Sequence, residues 1–323
     1  MSEILKSRQE FFFAYDIRMG NPNGDPDENR PRVLPDGTYY VTDVRLKRFM
    51  RDFFKSQGKP ILVDNIEGRT TNLTGRVSAE LEKQGKKKAD GEELVNIILD
   101  SFIDARLFGS SLAFKKEDKV KNARDWAPQP KTLTGALQIN HGEVLHKAQE
   151  VSIHGTSIFA SKEEYTQGTF TDFFGLRYGL IGFNGIANEH SAKISRLGQD
   201  DYDQALKAMW LGVRSAGNTR SKTGQVPRFL INISYKEGHE FQFGNLLDYV
   251  KTIPETEKEP KDWSSPKDYT LDISLLRERI GQFAHHIDQV NYCISPDIKL
   301  SAEDDKSFLN NQNNLNFDGT NEQ

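Results

Sequence analysis

Basic side chains recur at helical spacing in VTDVRLKRFMRDFF, the segment from Val41 to Phe54. Arg45 and Arg48 are three residues apart, and Arg51 follows after another three, so successive guanidinium groups would be neighbours on a helix surface. Guanidinium groups bind phosphate through paired, charge-assisted hydrogen bonds. Solvated helix faces commonly carry such charge too, so this segment alone leaves both interpretations open.

A second basic region is marked by the absence of acidic residues. From Gln204 to Lys236 the chain contains no Asp or Glu. The basic residues of this stretch are Lys207, Arg214, Arg220, Lys222, Arg228 and Lys236. Part of it, GNTRSKTGQ, predicts a loop of small residues whose backbone N–H groups could approach phosphates, although a mobile surface loop is the alternative. It does not match a nucleotide-binding P-loop, because Ser221 stands where that motif requires Gly.

The segment NPNGDPD, residues 21–27, places Asn21, Asn23, Asp25 and Asp27 at alternate positions after a candidate strand that ends near Arg18. An EF-hand requires Gly at its sixth position, where this chain has Pro26. The pattern favours a rigid Asx-type turn whose Asn side chains and backbone meet ribose or phosphate. A divalent metal held by the two aspartates is the less favoured interpretation.

Composition limits the classes of protein that the chain can belong to. The 323 residues carry a formal net charge of −4, which argues against coating nucleic acid through bulk charge but permits a local basic groove. The single cysteine, Cys293, excludes an internal disulfide framework and cysteine-rich zinc sites. No apolar run approaches the ~20 residues of a membrane helix, and MSEILKSRQE lacks the apolar core of a signal peptide. We therefore expect a cytoplasmic protein without a membrane partner.

No motif for catalysis stands out. The chain has no HExxH motif, no Ser-His-Asp order and no paired general acid. The sequence therefore predicts no catalytic residue, no resident metal and no cofactor.

Hydrophobic periodicity predicts six core elements, with Thr42 as the N-cap of the first helix. In chain order they are a strand over Phe11–Met19, a helix from Thr42, strands over Leu133–Gly142 and Phe173–Asn188, a helix over Asp200–Val213 and a strand over Arg228–Tyr235. This is the βαββαβ order of an RRM-like, ferredoxin-like α+β fold. Aromatic residues on the strands, such as Phe11–Phe13 and Phe173-Phe174, are expected in the core, with base stacking as the alternative. Beyond Gly238 we expect an amphipathic helix within Leu271–Tyr292 and a loosely held tail from Ser301.

Four segments, in this order, resemble the Cas-seven family of RAMP-like proteins, the backbone subunits of CRISPR Cascade. They are NPNGDPD with VTDVRLKRFMRDFF, then DARLFG (residues 104–109), LTGALQINHG (133–142) and TRSKTGQVPRFLINISY (219–235). The resemblance extends to about Lys236 and is greatest to the type I-B branch, with type I-C as a near relative.

The resemblance implies a right-hand architecture with an RRM-like palm. The palm would comprise residues 1–58, 132–142 and 173–237, with a largely helical finger insertion at 59–131 and a β-rich thumb insertion at 143–172. Residues 238–323 would form a C-terminal extension with a partly flexible tail. Several copies would stack head-to-tail along one guide crRNA beside other Cascade subunits, and would present the guide for pairing with a target DNA strand.

The resemblance also assigns RNA contacts to residues of this chain. The expected RNA-binding residues are Arg18, Asn21, Asn23, Arg45, Arg48, Arg51, Gln138, Arg214, Arg220 and Lys222. One alternative is a metal-dependent ribonuclease that cuts guide-paired RNA through an aspartate of the first loop region, where Asp25, Asp27 and Asp36 lie. Another is a monomeric RRM-type RNA-binding protein.

Overall fold

The computed structural model describes residues 3–65, 71–86, 89, 91–113, 131–156 and 170–318. The helices are α1 Asp43–Ser56, α2 Leu73–Lys83, α3 Gly91–Ser101, α4 Ile103–Phe108, α5 Glu189–Ser195, α6 Gln199–Ser215, α7 Ser274–Gln282 and α8 Glu303–Asn310. The strands are β1 Gln9–Gly20, β2 Tyr40–Val41, β3 Gly109–Leu112, β4 Lys131–Thr134, β5 Leu137–Ile139, β6 Gly142–Val144, β7 Glu150–Thr156, β8 Phe170–Ala187, β9 Gln225–Tyr235, β10 Lys251–Pro254, β11 Tyr269–Asp272, β12 Ile287–Ile294 and β13 Asn313–Asn314. The fold is mixed α/β, built on one large sheet.

The large sheet has the strand order β13-β12-β9-β1-β8-β6-β2, and β5 and β7 also pair with β8. β1 lies at its centre, antiparallel to both β8 and β9, so that Phe13 is opposite Phe183 on one side and Leu230 on the other. β5 pairs with the end of β8, with Leu137 opposite Ala187. The long predicted strands after Phe11, Phe173 and Arg228 are therefore neighbours in one sheet.

Helices α1 and α6 cover one face of this sheet. Thr42 caps α1 as predicted, its Oγ1 accepting from the backbone N–H of Arg45 at 3.4 Å. The apolar stripe of α1 packs with Trp210 of α6 against Phe11, Phe13 and the other β1 side chains on that face. The two helices cross closely at Gly212, where an added Cβ would lie 2.6 Å from the carbonyl oxygen of Phe49.

The C-terminal part of the chain covers the opposite face. Phe12, Tyr178 and Phe229 on that face are buried against residues of the C-terminal part, among them Trp263 and Leu276. A polar network lies beside them: the carboxylate of Asp16 accepts from the Tyr178 hydroxyl at 2.7 Å and from Arg228 Nε at 2.8 Å. Phe11–Phe13 are fully buried, so they belong to the core and cannot stack on bases.

The C-terminal part agrees with the prediction in one element and differs in others. The amphipathic helix expected within Leu271–Tyr292 is α7, and the strands β11 and β12 lie on either side of it. After Ser301 the chain forms α8 and β13, and Leu315 and Phe317 pack against the core below α6. The segment Leu133–Gly142 is not one strand either, because Gly135 approaches the backbone of residues 107–109 too closely for a Cβ and separates β4 from β5.

The insertions are described in part. Helices α2 and α3 form a small apolar core of their own with Phe102 and Leu133, apart from the sheet. Residues 114–130 of the expected finger insertion and 157–169 of the expected thumb insertion lie outside the described residues.

Candidate nucleic-acid interface

Three segments far apart in the sequence meet at one end of the large sheet and enclose a cleft of about 540 Å³. They are the loop after β1, the exposed side of α1, and the end of α6 with the loop that follows it. The lining residues are Asn21, Gly24, Asn29, Arg45, Phe49, Asp52, Phe53, Ser56, Gly212, Ser215, Ala216, Asn218, Thr219, Ser221 and Lys222. We call this the phosphate cleft, because its polar lining is basic side chains, hydroxyls, amides and a single carboxylate, that of Asp52.

The loop after β1 is fixed to the loop before β9. Met19 turns the chain out of β1 with a left-handed φ of 49°. The backbone N–H of Asn21 then donates to the carbonyl oxygen of Ser221 at 3.0 Å, and that of Arg18 to Gly224 at 3.2 Å. Gly224 is required for this approach, because a Cβ would lie 2.2 Å from the carbonyl oxygen of Arg18. Both loops therefore present their side chains as one surface.

The two predicted asparagines are buried and have structural partners. Asn21 Nδ2 donates to the carbonyl oxygen of Asn29 at 2.6 Å, while its Oδ1 is buried with no partner among the described residues. Asn23 Oδ1 accepts from both the N–H and the hydroxyl of Thr42, at 2.9 and 2.8 Å. Asn23 therefore holds the N-terminus of α1 against the loop and positions the helix rather than contacting a ligand directly.

The aspartates of the same loop form the Asx-type turn that the sequence favoured. Asp25 Oδ1 accepts from the backbone N–H groups of Asp27, Glu28 and Asn29 at 2.8–3.0 Å. These hydrogen bonds hold the pKa of Asp25 below its ordinary value. Asp36 likewise accepts from the N–H of Thr38 at 2.9 Å. In the described part of the chain, no three His, Cys, Asp or Glu side chains are grouped so that they could hold a metal ion.

Lys222 and Arg45 supply the positive charge within the cleft. Lys222 is buried, and its ammonium group donates to the carbonyl oxygen of Asn21. Its burial, together with the positive charge of Arg45, lowers the pKa of Lys222 to about 8. Arg45 is half-buried above the ring of Phe49 and has no carboxylate partner among the described residues. The one carboxylate of the lining, that of Asp52, pairs with Arg48 at 2.7 Å. Arg45 and Lys222 therefore keep their charge uncompensated by the lining, which favours a bound anion.

Three other predicted arginines are engaged in ion pairs. Arg48 pairs with Asp52, the next-turn neighbour on α1, at 2.7 Å, and both side chains are about half exposed. Arg51 binds the buried carboxylate of Asp104 at 2.9 Å. Arg214 pairs with Asp318, which also accepts from Trp210 Nε1 at 2.7 Å. Arg51 therefore holds α1 to α4, whereas Arg48 lies on the exposed surface beside the cleft.

Arginines of the two loops also lie over aromatic rings at the start of β8. Arg220 lies over the Phe173 ring at 5.1 Å, and Arg30 lies over the Phe174 ring at 4.1 Å. Stacking of this kind leaves the guanidinium edge of Arg220 available to a phosphate. The guanidinium group of Arg30 instead pairs with Glu28 at 2.6 Å and with Glu150 at 2.7 Å, so it ties the loop to β7. Sequence reasoning missed this role of Arg30, because Glu150 comes 120 residues later in the chain.

Gln138 is not part of this cleft. On β5 it is opposite Ile186, which is opposite Glu10 at the far end of β1. Ten residues of strand separate Glu10 from Gly20, which corresponds to roughly 30 Å. The structure therefore brings together Asn21, Arg45 and Lys222, with Arg18, Arg48 and Arg220 exposed nearby, and places Gln138 elsewhere.

The sequence is similar to one known protein family. The family model of CRISPR-associated protein Cas7 matches residues 7–274. A protein of Haloferax volcanii named CRISPR-associated protein Cas7 is 30% identical over 312 residues, covering 93% of this chain and 90% of that protein.

Solved structures agree with this match at the level of the fold. A chain of a CRISPR RNA-guided surveillance complex is similar with a TM-score of 0.53 at 11% identity, over 97% of this chain and 98% of that chain. A second, from a pre-nicking CRISPR RNA-guided surveillance complex, has a TM-score of 0.53 at 12% identity, over 91% and 94%. Within the described ranges, a helix with the length and apolar composition of a membrane span is absent. Since the family model spans most of the sequence and includes both loops and α1, the chain belongs to the CRISPR-associated protein Cas7 family.

Proposed function

We propose that this protein is a guide-RNA-binding backbone subunit of a CRISPR effector complex, of the Cascade type. The observation that carries the proposal is the phosphate cleft, in which Arg45 and the buried Lys222 face a common space whose one carboxylate, Asp52, is paired with Arg48. A polyanionic backbone supplies the missing charge at regular intervals along its length. The exposed Arg18 and Arg220 add positive charge on the two loops beside the cleft, whereas Arg30 and Arg48 are paired with carboxylates.

The palm of this subunit is an RRM-like core. The order β9-β1-β8-β5, all antiparallel, with α1 and α6 on one face, supports a ferredoxin-like arrangement. Helices α2–α4 belong to the finger insertion, and β7 belongs to the thumb insertion, which ends at Asp172 near the start of β8. The bounds of palm, finger and thumb follow the family resemblance, as does assignment to the type I-B branch.

Copies of the subunit bind head-to-tail along one guide crRNA, together with other subunits. The two similar structures come from complexes whose names describe RNA-guided surveillance, which supports this assembly. The bound guide would then pair with a target DNA strand, so that base pairing and not the protein selects the sequence.

The subunit acts by holding RNA and not by cutting it. A ribonuclease would use carboxylates of the first loop region, and Asp25 and Asp36 instead accept backbone N–H groups of their own turns. Magnesium-dependent cleavage of guide-paired RNA that is lost in Asp27→Ala would contradict the non-catalytic role.

The first experiment is to purify the protein at native expression level and sequence the RNA that accompanies it. Short RNAs of uniform length with a shared end derived from a repeat are the expected result. Heterogeneous RNA, or none, would contradict a guide-RNA subunit.

The second experiment tests the cleft itself, with RNA-free protein and a labelled single-stranded RNA. Replacing Arg45 and Arg220 by alanine removes two phosphate contacts, so the slope of log affinity against log salt should decrease by ~1.4 in magnitude. The control replaces Lys193 and Lys207, two exposed lysines outside the cleft lining, and removes the same charge. Equal slopes in the two double variants would overturn the cleft assignment.

A further inference from the structure

A second, smaller cavity of about 220 Å³ lies at the opposite end of the large sheet from the phosphate cleft. It is formed by β5, the end of β8, the start of β1 and the loop after β9. Its lining residues are Glu10, Gln138, Asn140, Asn184, Gly185, Ile186, Gln242, Gly244 and Asn245. Because five of them carry side-chain amides, we call it the amide pocket.

Hydrogen bonds within the protein use only part of these amides. Gln138 Nε2 donates to the carbonyl oxygen of Gly135 at 2.8 Å, and Asn140 Nδ2 donates to Asn184 Oδ1 at 3.4 Å. Gln242 Oε1 accepts from Arg8 at 3.3 Å, and Asn245 Nδ2 donates to Asp248 at 3.0 Å.

Each amide therefore keeps one group without a partner among the described residues. These groups are the oxygens of Gln138, Asn140 and Asn245 and the nitrogens of Asn184 and Gln242. An amide-lined site that offers both donors and acceptors suits a ligand with the same mixture on one edge.

The pocket offers no positive charge to an anion. Its lining contains neither Lys nor Arg. The nearby Arg8 is held by Glu189 through two contacts of 3.2 Å. Glu10, at the pocket wall, accepts from the N–H groups of Phe243 and Gly244 at 2.7 and 2.9 Å and from the Tyr235 hydroxyl. Because the lining has no basic side chain and includes the carboxyl group of Glu10, it disfavours a phosphate and favours a neutral ligand.

The pocket is an uncovered part of an otherwise buried sheet face. Asn184 is opposite Phe12 on the face away from α1 and α6. The C-terminal part of the chain buries that face around Phe12, Tyr178 and Phe229, whereas at β5 the loop containing Gln242 and Asn245 leaves an opening. RRM-like sheets bind unpaired bases on the face away from their helices, so the opening lies where a base would reach the sheet.

We infer that the amide pocket binds a single unpaired nucleobase through hydrogen bonds to its edge. Bases are neutral, planar and carry donors and acceptors side by side, and Asn and Gln amides pair with such edges bidentately. The pocket volume is below the range of drug-sized sites, which fits one base and no larger ligand. The site is about 30 Å from the phosphate cleft along β1, so it is additional to the proposed grip on the RNA backbone and can be tested without it.

The test is saturation-transfer NMR on the full chain with adenosine, guanosine, cytidine and uridine, each at millimolar concentration, and with ribose 5-phosphate. We expect stronger transfer to base protons than to ribose protons for at least one nucleoside. Ribose 5-phosphate can bind only through the phosphate cleft, so any transfer to it should be the same in the wild type and the pocket variants. The nucleoside signal should be lost in Gln138→Leu and in Asn140→Leu, whose side chains are exposed, and kept in Asn310→Leu, an exposed amide outside the pocket.

Thermal unfolding checks that the variants are folded. If one of the two pocket variants does not fold, the other still tests the site. The Arg45→Ala and Arg220→Ala double variant should keep the nucleoside signal, which separates this site from the phosphate cleft. Absence of transfer from every nucleoside, or equal transfer in the pocket variants and the wild type, would overturn the inference.

Discussion

We predict that the proposed RNA binding depends on pH through Lys222, in a range where the arginines stay charged. Its burial, with Arg45 beside it, lowers the pKa of Lys222 to about 8 in the free protein. A bound phosphate favours the charged ammonium, so above this pH binding must return a proton to Lys222. We expect affinity to be constant well below the pKa and about tenfold lower one pH unit above it, measured by fluorescence anisotropy at constant salt.

Two variants separate this effect from general changes in charge. Lys222→Met should bind RNA more weakly at low pH and show a flat profile through pH 8. Arg45→Ala removes the neighbouring positive charge and should move the midpoint of the decline to higher pH. A decline of the same size in Lys222→Met would mean that another group titrates.

Spacing identified the charges of the cleft but not the partners that decide their roles. Arg45 stood out through its helical spacing, and Arg220 and Lys222 because the stretch from Gln204 to Lys236 has no acidic residue. Arg51 had the same spacing, but its partner Asp104 comes 53 residues later, beyond the reach of helical periodicity. Asn23 bonds to Thr42 across 19 residues, so its part in fixing α1 was equally invisible.

The position of α1 against the finger region depends on the ion pair between Arg51 and Asp104. Asp104 is 1% exposed and also accepts from the N–H groups of Leu62 and Val63 at 2.7 and 3.2 Å. Arg51→Ala leaves a buried carboxylate without its cation, and we expect a loss of about 3 kcal/mol of unfolding free energy. Urea denaturation followed by circular dichroism measures this change.

Arg48→Ala is the matched control on the same helix. Its pair with Asp52 is half exposed, so we expect a loss below about 0.5 kcal/mol together with weaker RNA binding. Arg51→Ala should therefore affect mainly the unfolding free energy, and Arg48→Ala mainly the affinity for RNA. An Arg51→Ala protein with unchanged stability and impaired RNA binding would return Arg51 to the list of direct RNA contacts.

The contact between the two loops of the cleft depends on Gly224. Its replacement by alanine would bring a Cβ to 2.2 Å from the Arg18 carbonyl oxygen and separate the loops. We expect Gly224→Ala to lower both the unfolding midpoint and RNA affinity. Gly281→Ala, in α7 and with open space around the added methyl, should instead raise stability by about 0.5–1 kcal/mol without affecting RNA binding. Equal behaviour of the two alanine variants would contradict this account of the loops.

The sequence predicted those helices and strands whose apolar residues recur with a regular helical or strand period. β1, α1, β8, α6 and β9 have long apolar patterns, and each lies within a few residues of the predicted bounds. In the C-terminal part only the helix α7 was expected. β11 and β12 are short strands, and their apolar residues are buried with Phe12 and Tyr178 of distant strands, a partnership that local periodicity does not show. β13 pairs only through Asn291 and Tyr292 of β12, a contact that its own polar sequence does not indicate.

At the scale of the whole molecule, the C-terminal cover decides where RNA can bind. It buries the sheet face around Phe12, Tyr178 and Phe229, so bases cannot spread over that face as they do on an uncovered RRM sheet. In the proposed function the RNA backbone is instead held at the end of the sheet by two loops and α1. A protein that binds the backbone from one edge leaves the bases free, which is what presentation for pairing requires.

Binding from one edge also leaves the rest of each molecule free to contact the next copy. The net charge of −4 means that neighbouring copies repel one another at long range, whereas the basic cleft attracts RNA, so we expect assembly only on RNA. Multi-angle light scattering should give a monomer without RNA, and with single-stranded RNA of increasing length a mass that rises by whole protomers, as head-to-tail contacts that do not close predict. The Arg45→Ala and Arg220→Ala variant should remain monomeric at the same concentrations. One protomer per RNA at every length would favour the monomeric RNA-binding protein, and oligomers without RNA would show that protein contacts alone suffice.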